Sequence, residues 1–387
     1  MAAITSIRSL TLDLPPSCIA FCPTLPQYFV VGTYFLHPEE EQQSAAAQDD
    51  EVTSADEDVQ QKRSGSLILF RLEGDEIIHV VTKTTDFAVL EAQWTPHNEG
   101  LGYLLAVATS TGQLVLYRLE TTSDSVDLIP LSLNVVADPS VLVLSLAWHP
   151  KRADIIGITL SNGDVSLCTV TAAKSWSEDA SISVMRVHHH ELEAWTLAFT
   201  GPGSTSILSG GDDVALQHSL VNFDEHEGSI VQWRDRKLHQ AGVTAILPLT
   251  SDLVVTGSYD DHIRLIACSA GARRYVLAEL NLGGGVWRLR ILAASESLNM
   301  EGVGTLSASK RIVMLASCMH AGARVVRLHR DEDGSYKFEV VAVFEEHQSM
   351  NYGSDARPSS SNKKSIISTS FYDRLLCLWR FDVGSVT

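Results

Sequence analysis

An all-β chain, folded as a seven-bladed propeller and closed by its own N-terminal strand, is what this sequence predicts, and three observations predict it. Short alternating runs rich in Val, Ile, Leu and Thr recur along the chain, broken by Gly, Asn, Asp and Ser, the pattern of strands and tight turns. Those runs fall into a phrase that repeats seven times. One further run, Ile4 to Leu12 (ITSIRSLTL), is left over at the start and can pair with the last unit to close a ring.

Each repeat opens on an apolar strand, often with tryptophan (AQWTP, SLAWHP, EAWTLAF, GVWRLRIL), and continues as strand, polar turn, strand. The hairpin is plainest in LLAVATSTGQLVLYRL (104–119), across Thr111-Gly112, and in DIIGITLSNGDVSLCTV (154–170), across Asn162-Gly163. Asn-Gly suits such a turn because both residues tolerate positive φ. The first unit runs from Cys18 through Val30-Val31-Gly32-Thr33 to Leu67 and Phe70, split by an insertion. The others span Val89 to Tyr117, Val143 to Cys168, Trp195 to Trp233, Val243 to Ile266, Val286 to Val326 and Tyr352 to Trp379. From the second unit to the sixth the starts fall about 43–54 residues apart, near the ~40–45-residue stride of WD-type blades once loop insertions are allowed. A single sheet cannot bury both of its faces, so stacking seven around an axis makes the core and leaves few edges.

Two segments interrupt the pattern. The stretch from 37 to 64 is low-complexity, with nine acidic and no basic residues between Glu39 and Asp58, too poor in apolar side chains to fold, and is expected to be a disordered loop in the first blade, with a docking tail for a basic partner as the alternative. Residues 217 to 228 (QHSLVNFDEHEG) are expected to lengthen a turn of the fourth blade as a loop.

Composition narrows the function classes. With 29 basic against 47 acidic residues the formal charge is −18, opposite to what a nucleic-acid grip needs and better suited to a basic or cationic partner. The six cysteines are scattered without a Cys-x-x-Cys pair, which reads as reduced thiols inside the cell. The start MAAITSIRSLTLDLP lacks a signal peptide's apolar core, and no run approaches the length of a membrane helix. A soluble, cytoplasmic, monomeric protein without bound nucleic acid or membrane is the expectation.

Polar residues at the turns carry the rest. A histidine in the loop leading into a blade and an aspartate in the turn between its second and third strands commonly pair, because a buried charge must be partnered. His239 and Asp260, with Ser258 alongside, form such a set in the fifth unit; His347 and Asp373, ahead of Trp379, do so in the seventh, and His190 and Asp213 in the fourth. The sixth unit departs. Its leading loop is Gly283-Gly284-Gly285, and its turn, Ser317-Cys318-Met319-His320-Ala321-Gly322, has His320 where Asp260 stands in the fifth. His320 either faces solvent at a turn or serves a site, and its place at the mouth of the channel, with Trp287, Tyr259 and Tyr352, favours the site. His188-His189-His190-Glu191 looks like a metal tract, but neighbours on a strand alternate faces and cannot all converge, so no metal is expected there. There is no Gly-x-Ser-x-Gly elbow, no Gly-x-x-x-x-Gly-Lys loop and no His-Glu-x-x-His helix. From these patterns alone the chain is a propeller, read as an interaction scaffold.

Particular phrases go further. GGDD (210–213), TGSYDDH (256–262), GGVWR (284–288), CMHAG (318–322), HQSMNYGSD (347–355) and SFYD (370–373) follow in order, preceded by Val31-Gly32-Thr33-Tyr34 and Glu193-Ala194-Trp195. Together they resemble the WD-repeat diphthine methyl esterases of eukaryotic diphthamide biosynthesis, over the whole ring and most closely from Glu193 onward. Where that family carries Trp after Gly-x-Asp, this chain has Ala356. The resemblance implies a hydrolase that cleaves the methyl ester of methylated diphthine on translation elongation factor 2. Methanol would be released, and diphthine left for the final amidation. It implies no cofactor; the partners would be the elongation factor and other proteins of the pathway. Within it, His320 is expected as general base or nucleophile-activator, oriented by Glu193 or His347, with Cys318 and Tyr259 as further nucleophile or oxyanion-donor candidates. Trp195, Trp287 and Tyr352, with Arg288 and Tyr259, would bind a substrate whose quaternary ammonium suits aromatic faces. Against this stand two plainer readings: Trp195 and Trp287 as core aromatics like Trp94 and Trp148, and the whole chain as a non-catalytic WD scaffold. A third, a ubiquitin-ligase receptor, would need an adaptor-binding helix or motif, and none is present.

Overall fold

A computed structural model describes the chain except residues 39–60, 97–101, 124, 171–175, 177–180, 224–227, 269–272, 296–305, 308–309 and 386–387. The described residues form seven small sheets, joined in register by antiparallel pairs, one sheet per repeat. The innermost strands are Pro16–Phe21, Val89–Trp94, Val143–Trp148, Ala194–Thr200, Val243–Pro248, Arg288–Ala294 and Ser354–Ala356. The second strands, such as Ile155–Leu160, Leu253–Ser258 and Ile312–Ser317, are buried at every position. Both of their faces lie against neighbouring blades, so their sequences are continuously small or apolar rather than alternating.

What holds the ring is packing between blades. Seven hydrophobic clusters can be traced, each joining one blade to the next. They include Leu292, Phe344 and Trp379 between blades six and seven, and Ile19, Phe29 and Leu378 between seven and one. That last cluster closes the circle. At ~25 cal/mol for each Å² of apolar surface removed from water, these contacts are the main stabilising term.

Closure by the N-terminus differs in detail from the expected single strand over 4–12. Arg8–Thr11 pairs antiparallel with Leu375–Asp382, giving blade seven its outer strand. Ala2–Ile4 instead pairs parallel with Tyr336–Phe344, so the N-terminal segment staples blades six and seven together. The repeat read from sequence also stops one strand short. The outer strands Val126–Val135, Ile182–His189 and Tyr275–Asn281 belong to their blades. With one face toward solvent, they carry a mixed pattern that blurs the repeat.

The two interruptions resolve differently. The acidic stretch expected over 37–64 falls largely on 39–60, outside the described residues. Its stems are fixed, Phe35–Leu36 pairing with Ser64 and Arg63, and His37 Nε2 lying 2.8 Å from Ser64 Oγ. In the fourth blade, Gln217 is not the start of a loop. Leu216–Asn222 is a strand, paired on one side with Ser206–Gly211 and on the other with Gly228–Asp235. Its alternation of buried and outward residues was hidden by the polar Gln217, His218 and Ser219. Among the described residues no helix is long and apolar enough to cross a membrane.

Candidate active site

The innermost strands all start at the same mouth of the channel, and the turns between second and third strands rise around it. A cavity of about 470 Å³ occupies this mouth, its floor made by Ser17, Leu90, Leu144, Trp195, Trp287 and Tyr352 at or just before strand starts. Tyr34, Phe371 and Tyr372, from the turns of blades one and seven, form its wall.

Half-buried rings meet here edge to face and tilted. Trp195 and Trp287 have centroids 5.5 Å apart, Tyr259 lies 6.1 Å from Trp195 and 5.8 Å from Trp287, and Tyr352 lies 5.2 Å from Trp287. Phe371 extends the chain, 5.4 Å from Tyr352. Trp195, Trp287, Tyr352 and Phe371 line the cavity, whereas Tyr259 packs against the two tryptophans without lining it; aromatic faces turned to such a cavity attract a cation. Asp212 fixes one wall by accepting the Trp195 indole N–H at 3.1 Å. Burial, then the charges of Asp212 and Glu193 among other neighbours, push the Tyr259 phenol well above its ordinary range, although Arg288 opposes them. That phenol therefore stays protonated at neutral pH, and it makes no hydrogen bond among the described residues. Burial raises Tyr352 as well.

Arg288 lies beneath the cage. Its guanidinium sits 5.0 Å from the Trp287 ring, donates to the Trp287 carbonyl at 3.0 Å, and reaches Glu91 across the channel at 3.4 Å. Glu91 also accepts from Ser145 Oγ at 2.5 Å, so one carboxylate ties blades two, three and six. Arg288 is thus positioned behind the cage rather than in the mouth cavity.

The candidate acids and bases scatter. Glu193 is half-buried beside the cage, its carbonyl accepting the Asp212 N–H at 2.8 Å. His320 is exposed at its turn and has no hydrogen bond among the described residues. Met319 forms a bridge to Asn351, the residue before Tyr352, which anchors this turn to the rim. The glycines of the leading loop make room for it: a Cβ on Gly284 would lie 2.4 Å from the Cys318 carbonyl oxygen. Cys318 is no nucleophile, since the thiol is fully buried and burial pushes its pKa up to about 12. His347 does not orient His320: it is buried, its Nε2 is 2.7 Å from Ser368 Oγ, and burial lowers it to about 4.

The three expected His–Asp sets reveal a different rule. Only His190 bonds its aspartate directly, Nδ1 to Asp213 Oδ1 at 2.9 Å. His239 and Asp260 are not bonded to each other, nor are His347 and Asp373. What recurs is the histidine Nε2 against a second-strand hydroxyl, Ser209, Thr256 or Ser368, at 2.7, 2.8 and 2.7 Å. The aspartates 213, 260 and 373 instead accept the backbone N–H after the histidine, at Glu191, Gln240 and Gln348. Asp260 additionally takes Arg264 at 2.8 Å, which leaves the His239 ring to Thr256. Burial alone would raise Asp213, but His190 and the N–H groups of Glu191 and Ala215 hold it well below the carboxylate range. His188 and His190 turn to the same buried side, both bonding Ser209, while His189 faces out to Asp164.

Asp212, Glu91 and the wall of Tyr34, Phe371 and Tyr372 join the site only in the structure. A signal existed, since Tyr259, Phe371 and Tyr372 occupy corresponding turns. The sequence also groups Trp94 and Trp148 with Trp195 and Trp287, but the first two end their inner strands. Their indoles bond the Ala20 and Gln93 carbonyls of the preceding blades, away from the mouth.

No family model matches the chain. Among solved structures, a chain of the mitotic checkpoint complex matches with a TM-score of 0.62 at 14% identity, over 97% of this chain and 92% of that one. Chaetomium thermophilum Sqt1, bound to the N-terminus of ribosomal protein L10, matches with a TM-score of 0.56 at 13% identity, over 95% and 84%. At such identities the likeness shows the fold alone. The molecule is a seven-bladed WD-type propeller with an aromatic, acid-flanked cage in one mouth. Among curated proteins, the diphthine methyltransferase of Schizosaccharomyces pombe is 30% identical over 372 residues, covering 95% of both chains. That of Mus musculus is 25% identical over 362 residues, covering 90% of this chain and 69% of its own. The chain belongs to the diphthine methyltransferase family.

Proposed function

We propose that this protein hydrolyses the methyl ester of methylated diphthine on translation elongation factor 2, releasing methanol and leaving diphthine for amidation. The observation that carries the reading is the cage. Trp195, Trp287 and Tyr352 line the mouth cavity, and Tyr259 packs against both tryptophans with Asp212 and Glu193 close by. A trimethylammonium group carries its charge on a methylated surface, so it suits π faces, at about 0.5–2 kcal/mol, with carboxylates nearby as counter-charge. Seated there, the side chain presents its ester close to the rim.

Hydrolysis then requires a base for the attacking water and a donor for the developing oxyanion. The protonated Tyr259 phenol is our donor. Glu193, half-buried beside it, is our first base, and His320 on the next turn is the second. Water attacks the ester carbonyl as its proton passes to the base. The tetrahedral oxyanion collapses, and the methoxy group leaves with a proton as methanol.

Purified wild type incubated with the methylated factor is expected to release methanol, with the modified peptide losing the mass of one CH₂. Between Glu193→Gln and His320→Ala, the variant losing ~100-fold or more in kcat at unchanged KM identifies the base. Tight binding of the modified factor without methanol would instead establish the scaffold reading.

A further inference from the structure

Inner strands that begin at the mouth end on the opposite face, and there blade seven turns through residues 357–362 into its second strand, Lys363–Ser370. A groove of about 490 Å³ follows this turn, lined by Arg357, Lys363, Arg380 and Ser359, Ser360, Ser361 among others. Every charged residue in its lining is a cation, in a chain whose net charge is −18. Arg380 is engaged, paired with Asp75 and donating to the Gly74 carbonyl at 3.2 Å. The side chains of Arg357 and Lys363 make no hydrogen bond or ion pair among the described residues.

The hydroxyls sort in the same way. Ser359 Oγ accepts the Ser361 N–H at 3.0 Å, and Ser361 Oγ accepts the Lys363 N–H at 3.2 Å, so both brace the turn. Lys364 adds a bond to the Ser359 carbonyl at 2.5 Å. Ser360, exposed at the crown, is bonded to nothing among the described residues. It stands three residues from Arg357 on one side and three from Lys363 on the other.

We propose that Ser360 is a phosphorylation site whose phosphate is received by Arg357 and Lys363. The donor is ATP, used by a protein kinase that selects serines flanked by basic residues. The Ser360 Oγ–phosphorus bond forms as the β,γ-bridging bond breaks, the hydroxyl proton passes to the kinase's base, and ADP departs. A phosphoserine brings three acceptor oxygens and ~1.5–2 negative charges, matching a lining that offers guanidinium and ammonium donors. The inference is independent of the chemistry at the mouth.

The full-length protein would be treated with ATP, Mg²⁺ and an arginine-directed serine kinase, then read by peptide mass spectrometry and by phosphorus NMR titration. One phosphate on Ser360 is expected, absent from Ser360→Ala. Its second ionisation should lie below the value of about 6 typical of phosphoserine in an unfolded peptide. In Lys363→Gln, which keeps Arg357 to direct the kinase and changes an exposed side chain, that depression should shrink measurably. Phosphate on Ser359 or Ser361, no phosphate at all while a control peptide is modified, or the same ionisation in folded protein and free peptide would each overturn the proposal.

Discussion

In blade five the turn after Gly257 draws Asp260 under the chain, whereas in blade six a turn of the same length, after Ser317, leaves His320 in solvent. The registers fix the correspondence, Gly257 pairing with Ile263 and Ser317 with Ala323. Asp260 is engaged on every side, by Arg264 at 2.8 Å and by the Gln240 and His262 N–H groups. The counterpart of Arg264 in blade six is Arg324, and it turns instead to Glu345 at 2.7 Å. With that cation satisfied elsewhere and the leading loop reduced to glycine, blade six needs no carboxylate in its turn. The glycines let the turn settle on them, and Met319 ties it to the rim. One blade uses its turn to hold itself together; the other leaves a polar residue in solvent.

The contrast can be broken first at Asp260. Asp260→Ala strands the nearly buried Arg264 guanidinium, and a loss of about 2–4 kcal/mol is expected in urea unfolding, near the lower end for broken buried pairs because exposed Glu279 still reaches Arg264. A loss below ~1 kcal/mol would mean the turn is not organised by that carboxylate. Gly284→Ala tests the other side. The added Cβ meets a backbone oxygen that cannot swing away, so about 1–3 kcal/mol is expected, and a loss under ~0.5 kcal/mol would mean the turn does not rest on this glycine. Acid titration comes next. His239 and His347 protonate near 6.5 when unfolded but only at about 4 when folded, because burial disfavours their charged forms. The stability they allow is complete above pH 6.5 and is lost as pH falls toward 4, by ~1 kcal/mol or more each. His347→Gln should therefore flatten the fall of Tm between pH 7 and 5, and an unchanged slope would contradict the assignment. Smallest of all, His320→Ala should leave stability within about 0.5 kcal/mol; a larger loss would make His320 a structural residue after all.

The ring was legible because second strands packed on both faces leave a small or apolar record in most blades, as in Ile155–Leu160 and Ile312–Ser317. Outer strands were not, since Val126–Val135 and Ile182–His189 expose one face and read as mixed sequence. At the site, Trp195, Trp287, Tyr259 and Tyr352 could be gathered from their places at strand starts and turns. Asp212 could not be chosen over Asp213, because only coordinates show which carboxylate turns to an indole and which to a histidine. Cys318 misled for a related reason: sequence shows a cysteine beside the candidate histidine, but not that its side chain points into the core between blades five and six.

The central claim is that water, at the aromatic mouth, displaces methanol from an ester. It is tested most directly in heavy-oxygen water with the methylated elongation factor as substrate. One heavy oxygen in the product carboxylate and unlabelled methanol are expected, with the rate falling and KM rising in Trp287→Phe. A demethylated carboxylate carrying no heavy oxygen would mean that the methyl group itself is transferred, and would rule out attack of water on the ester carbonyl.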